Sequence, residues 1–259
     1  MILKRFFRSL PSESDYRPRY GRGLGRRRLV EDLSAFLAVD RTAIEQMYGR
    51  YARFYREKGY GRFLSEWKTL CFEEAFIFFV LFNVKVPQVV VEIGTQFGQS
   101  TRRLRDMLDL LHPDAAIVCY DIADELRFVG HDEVTLLIED VTGQVAEKVL
   151  ARWSPDVIFL DARPYRLIDD VVRSFMKANG ESVLVIHDCA RGICNPRMTL
   201  SRDDPHISSR TGVWERHVLA EVFGVDNPCA GALDYVAGER HVLRIFDTRH
   251  GLGVIAPRR

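Results

Sequence analysis

Between Val89 and Asp188 five short apolar runs alternate with helical patterns, and every run closes on an acidic residue or on His-Asp. The first, from Val89 to Ile93, carries Glu92. Ala116 to Tyr120 ends in Asp121, and Val134 to Ile138 ends in Glu139-Asp140. Asp156 to Leu160 ends in Asp161, and Ser182 to Ile186 ends in His187-Asp188. Short apolar runs joined by helical crossovers predict a buried parallel sheet, because both faces of each strand must be covered. In such a sheet ligands bind beyond the carboxyl ends of the strands. Five acidic edges side by side suit a ligand rich in hydroxyl and amino groups, or a metal ion. They do not suit a bare phosphate.

The first strand passes into Glu92-Ile93-Gly94-Thr95-Gln96-Phe97-Gly98-Gln99-Ser100, then a helical pattern with Leu104, Met107, Leu108 and Leu111. A strand, a glycine turn and a helix start present backbone N–H groups and the positive end of a helix dipole. The glycine spacing is not the G-x-G-x-x-G of a dinucleotide fingerprint, and no Gly-Lys-Ser/Thr of a P-loop follows. After the fifth strand, 232–237 and 241–246 read as an antiparallel pair, with Gly251 to Ile255 as a short tail.

The N-terminal third is different. Residues 1–28 form an expected flexible arm with an Arg/Gly cluster, Tyr20 to Arg28; it could touch RNA, although a solvated arm is the plainer reading. Residues 29–87 read as three helices. The last, from Leu64 to Asn83, has aromatics (Phe72, Phe76, Phe78, Phe79, Phe82) that predict core packing or an oligomer contact. The apolar stretch Ala75 to Val84 falls short of the ~20 residues of a membrane span. A net charge of +1 offers no general attraction for nucleic acid or an anionic membrane. Five widely spaced cysteines contain no C-x-x-C pair. They predict reduced thiols in a cytoplasmic protein, with neither a zinc site nor a disulfide framework.

The order of glycine loop, Asp121 and Asp140 resembles the class I S-adenosylmethionine (SAM)-dependent methyltransferases. The runs Phe159 to Tyr165, Val185 to Cys189, Gly212 to Trp214 and Gly251 to Ile255 look like the macrocin/mycinamicin-type and cephalosporin-biosynthesis O-methyltransferases, which hold a divalent ion. The resemblance covers residues 88–256. It implies a Rossmann-like, seven-stranded, mostly parallel sheet with helices on both faces, occupying 88–259 behind a helical N-terminal extension. It implies cofactor contacts from Glu92, Gly94, Thr95, Gly98, Ser100, Asp121, Asp140 and Asp161. Within that set Asp121 would take the ribose hydroxyls and Asp140 the adenine. It further implies Asp161, His187 and Asp188 as ligands of Mg²⁺ or a similar ion, with His187 standing where relatives have a second acid. An imidazole there favours a borderline metal, or does not coordinate. Strand-end acids that merely cap helices or pair with Arg163 and Arg166 are the competing reading.

Pro164 stands where the macrolide-sugar relatives carry a candidate histidine base, so His187 is the first choice for that role, with Tyr165 and His206 behind it. The polar stretch from Cys189 to Gly212 is expected to be a substrate lid or a solvated loop. The activity implied is methyl transfer to a hydroxyl of a small molecule or glycoside. A non-catalytic SAM-binding protein of the same fold is the alternative, and an RNA methyltransferase the minor one. A homo-oligomer through the N-terminal helices, and no membrane partner, complete the expectations.

Overall fold

A computed structural model describes residues 24–60, 69–178, 180–194 and 213–258. The arm before residue 24, most of the polar insertion (195–212) and His206 lie outside the described residues. The chain order is α1 (Leu24–Leu37), α2 (Arg41–Lys58), α3 (Phe72–Lys85), β1 (Val89–Ile93), α4 (Gln99–Leu111), β2 (Ala116–Asp121) and β3 (Thr135–Ile138). Then come β4 (Val157–Leu160), α5 (Tyr165–Lys177), β5 (Val183–Ile186), α6 (Glu215–Phe223), β6 (Tyr235–Ala237), β7 (His241–Phe246) and β8 (Leu252–Pro257).

The strands form one sheet in the order β3-β2-β1-β4-β5-β8-β7-β6. β1 to β5 are parallel, and β8, β7 and β6 continue the sheet antiparallel. The expected Rossmann-like architecture is present, with eight strands rather than seven. The Gly251–Ile255 tail is the reason: as β8 it inserts between β5 and β7, and each of its two neighbours pairs with it. Strand order reverses between β1 and β4, which opens a crevice at their carboxyl ends.

Alternation along each strand sorts the core into two layers. Val90, Cys119, Phe159 and Val185 face α1 to α4, whereas Val91, Val118, Ile158 and Leu184 face α5 and α6. The N-terminal helices are thus one wall of the core. Phe78 meets Phe159 edge-on at 5.0 Å, and Phe36 meets Phe246 at 6.0 Å. Phe76, Phe78, Phe79 and Phe82 are fully buried.

One boundary differs from the sequence reading. Arg26 to Arg28, expected in the arm, are already helical in α1. The start expected at Leu64 lies outside the described residues; the helix that reaches Lys85 begins at Phe72, where Glu74 turns back to accept the Cys71 N–H at 2.8 Å and caps it. Among the described residues no helix is long and apolar enough to cross a membrane.

The expectation of reduced thiols throughout is overturned. Cys194 and Cys229 form a disulfide with their Cα atoms 5.6 Å apart, while Cys71, Cys119 and Cys189 are free and buried. Sequence spacing could not show this, because a buried arginine brings the two segments together. Arg216, 1% exposed, donates to the carbonyls of Cys189 (3.1 Å), Pro228 (2.6 Å) and Ala230 (2.8 Å). Asp234 pairs with both Arg216 and Arg191, so the chain after β5 is lashed to the chain before β6. Reducing the bridge is expected to lower stability by about 2–4 kcal/mol, a typical cost of reopening such a loop. Urea midpoints with and without reductant check this, and alkylation of the urea-unfolded protein before reduction should spare two cysteines.

Candidate active site

The glycine loop sits at the crevice and is fixed from three sides. Gly94 has φ +90, and a Cβ there would lie 2.3 Å from the Asp161 carbonyl oxygen, so the loop presses directly on the end of β4. Gly98 has φ +76, and a Cβ would come within 2.9 Å of Leu126 and Val129. Both places require glycine for conformation and for space. The third constraint is Asp121. Its Oδ2 accepts the N–H groups of Thr95 (2.9 Å) and Gln96 (2.7 Å), and its Oδ1 accepts that of Ile122 (2.7 Å). Gln96 is left-handed at φ 47, a strained conformation that this grip sustains.

Glu92 is wholly buried within β1, on the face shared with Val90. Its two carboxylate oxygens accept the hydroxyls of Ser100 and Thr101, each at 2.5 Å, from the first turn of α4. Burial pushes its pKa from 4.5 up to about 7, against the pull of those hydroxyls. The unfolded chain releases this proton near pH 4.5 and the folded chain holds it to about 7. The associated stability is full below pH 4.5 and is lost as pH rises through about 7. Glu92→Gln, which keeps the shape, is expected to flatten the decline of stability over that window, an effect on the order of 3 kcal/mol for a shift of this size. Urea unfolding of both proteins at a series of pH values checks it.

Asp140, just beyond β3, makes an Asx turn with the Thr142 N–H at 2.9 Å, and the Thr142 hydroxyl and N–H lower its pKa. Across the crevice Asp161, His187 and Asp188 converge. His187 Nδ1 lies 3.2 Å from Asp161 Oδ1 and 3.6 Å from Asp188 Oδ1. Asp188 is left-handed at φ 58, and its Oδ2 pairs with Arg163 at 3.2 Å. Tyr165 opens α5 as a buried residue whose ring meets Trp214 edge-on at 5.9 Å.

Glu74, His250 and Glu215, absent from the sequence reading, complete the site. Glu74, at the start of α3, is wholly buried, and its Oε2 stands 3.5 Å from His187 Nε2 and 3.2 Å from His250 Nδ1. Its Oε1 accepts the Thr248 hydroxyl (2.8 Å) and the His250 N–H (2.9 Å). Glu215, in the first turn of α6, is buried beside Asp188. Burial first, and then the Asp188 charge, raise its pKa well above the usual carboxylate value. Glu74 alone left a trace in the sequence, as an acid heading an otherwise apolar helix.

His187 is therefore flanked by carboxylates on both ring nitrogens. Burial alone would lower its pKa, but Asp161 and Asp188, with Glu74 on the far side, outweigh burial and hold the ring protonated well above its usual range. Burial works against charge on Glu74 too, yet His187 and His250 hold its pKa well below the carboxylate range. Asp161 is likewise lowered, by His187.

No family model and no curated protein matches the chain. Among solved structures it resembles a Klebsiella pneumoniae protein described as a "putative O-methyltransferase", with TM-score 0.51 and 15% identity over 82% of this chain and 90% of that one. The Bacillus cereus O-methyltransferase solved with SAH (TM-score 0.48, 14% identity, 89% and 97% covered) is also similar. So is TomG, an O-methyltransferase of tomaymycin synthesis from Streptomyces achromogenes solved with SAM (TM-score 0.47, 15% identity, 82% and 90% covered). The first of these establishes a shared fold: the chain has the Rossmann-like architecture of that O-methyltransferase-type structure.

Proposed function

We propose that this protein binds SAM at the β1/β4 crevice and transfers its methyl group to a hydroxyl of a small molecule or glycoside. The observation that carries the reading is the glycine loop, packed onto Asp161 and clamped by Asp121 at the strand-order reversal. In this reading Gly94, Thr95 and Gly98, with Glu92 and Ser100 beneath them, cradle the methionine end. Asp121 and Asp140 address ribose and adenine, and Asp161 closes the far side. Asp121 already holds two loop N–H groups, so its role couples loop shape to sugar recognition.

The sulfonium supplies an electrophilic methyl, and the protein must align an oxygen in line with it. A protonated His187 is a donor rather than a base. It would act by charge, favouring the alkoxide that forms as the methyl moves. Tyr165 and His206 remain proposed partners for the acceptor proton. Magnesium, implied by the resemblance, fits Asp161, His187 and Asp188 poorly. One oxygen of each carboxylate already faces a cation, His187 or Arg163, and a nitrogen stands where a hard ion wants oxygen.

The cytoplasmic setting stays part of the proposal, and the Cys194–Cys229 bridge is the observation that weighs against it. The aromatics behind the proposed homo-oligomer are already used in the core, so an oligomer would need another surface of the N-terminal helices.

Calorimetric titration with SAM tests the reading, followed by radiolabelled methyl transfer to hydroxylated acceptors. Asp121→Ala is expected to abolish SAM binding, and Asp188→Asn to keep binding while losing transfer. Absence of SAM binding would sink the proposal. Binding without transfer would leave the non-catalytic alternative.

A further inference from the structure

We infer that Glu74, His187 and His250 form a site for a borderline divalent cation, Zn²⁺ being the best match, on the opposite side of His187 from Asp161 and Asp188. The three ligands come from separate segments: the start of α3, the end of β5 and the turn between β7 and β8. Glu74 Oε2 lies 3.2 Å from His250 Nδ1 and 3.5 Å from His187 Nε2. A tetrahedral zinc with bonds of about 2.0–2.1 Å has ligand-to-ligand edges of about 3.3–3.4 Å, so both spacings are those of a metal shell. All three ligand atoms lie within 4.8 Å of one another, and the two imidazole rings are 5.0 Å apart.

A second observation comes from His187 itself. Its Nε2 is buried and has no hydrogen bond among the described residues, the nearest acceptor being Glu74 Oε2 at 3.5 Å. The ion pair with Glu74 is thus too long to satisfy this buried nitrogen, and a cation between the two would replace it with two direct bonds. The other nitrogen, Nδ1, faces Asp161 at 3.2 Å. Zinc-bound histidines are commonly oriented by a carboxylate on the nitrogen that does not bind metal, which is the arrangement here. Binding would release the His187 Nε2 proton to solvent and keep the other on Nδ1, donated to Asp161, while His250 would bind as the neutral ring with its proton on Nε2. One carboxylate and two imidazoles suit zinc and exclude a preference for magnesium or calcium. With three protein ligands a fourth position is left for water or a ligand atom. Glu74 brings the N-terminal helices into this shell, so the ion would tie that layer to the sheet edge.

The inference does not depend on methyl transfer, and its test reads metal alone. The full-length protein, stripped with EDTA and dialysed, is titrated with Zn²⁺ by calorimetry. Co²⁺ is added in parallel, and its visible ligand-field absorption is recorded. One Zn²⁺ per chain and an intense, low-symmetry Co²⁺ band are expected. His250→Gln, at a partly exposed side chain, is expected to weaken Zn²⁺ binding by more than the ~10–100-fold typical of losing an outer-shell partner. Asp188→Asn is expected to keep Zn²⁺ binding. No binding to the stripped protein, or unchanged affinity in His250→Gln, overturns the inference. So does loss of binding in Asp188→Asn with His250→Gln intact, which would put the ion among the strand-end carboxylates. Titration with SAM on the same samples separates failure of this site from failure of the cofactor reading.

Discussion

Replacing Glu74 with alanine is expected to destabilise the protein by about 3–5 kcal/mol, the cost of removing one partner from a buried charged network. The carboxylate is wholly buried and accepts from the Cys71 N–H, the Thr248 hydroxyl and the His250 N–H while facing two imidazoles. Alanine leaves those donors in an apolar layer with nothing to accept them. Glu74→Gln keeps the shape and part of the hydrogen bonding without the charge, so it should recover some of the loss. Urea unfolding near neutral pH measures both. The pH dependence carries a second signature. Glu74 is lowered, so its contribution is present above pH 4.5 and disappears as pH falls through its folded value. His187 is raised, so its contribution is full below pH 6.5 and is lost as pH rises through its folded value. Both slopes should be muted in Glu74→Gln. Unchanged slopes would mean that the carboxylate does not control the histidine.

Gly94→Ala is expected to weaken SAM binding at least ~100-fold, about 2.8 kcal/mol. Two costs coincide at this residue. A φ of +90 is strained for alanine, and the new methyl would lie 2.3 Å from the Asp161 carbonyl, where only backbone movement can make room. That movement would displace Asp161 together with the loop clamped by Asp121. Gly143→Ala provides the control, because Gly143 also has positive φ (+77) but nothing within 4 Å of a Cβ. Calorimetric titration with SAM on folded samples of both variants decides between strain and close approach. Unchanged SAM affinity in Gly94→Ala would show that the close approach to Asp161 does not shape the binding site.

The parallel core was legible because its signals are local. Five apolar runs of strand length, each closing on an acid or His-Asp at a turn, specify β1 to β5 with little help from context. The loop from Glu92 to Gly98 was legible for the same reason. Several other features were not. β8 read as a tail because a glycine-rich segment becomes a strand only when β5 and β7 offer edges on both sides. Cys194 and Cys229 read as free thiols because the bond depends on Arg216 and Asp234 lashing two distant segments together. Glu92 read as an open acidic edge, yet it is sealed under Ser100 and Thr101. Whether a strand-end acid faces the crevice or a helix is decided by strand alternation and helix placement.

By itself the sequence determined the five parallel strands and the acidic character of their carboxyl edge, since each follows from residue pattern within one strand and the turn after it. The order of the strands, and so the crevice between β1 and β4, came from the tertiary structure. Only the tertiary structure decided which charges meet. It set Glu74, 113 positions before His187 in the chain, and His250, 63 positions after it, against the same imidazole ring. Electrostatic and metal-binding properties depend on distances of a few ångströms between groups remote in sequence, and no local pattern encodes those.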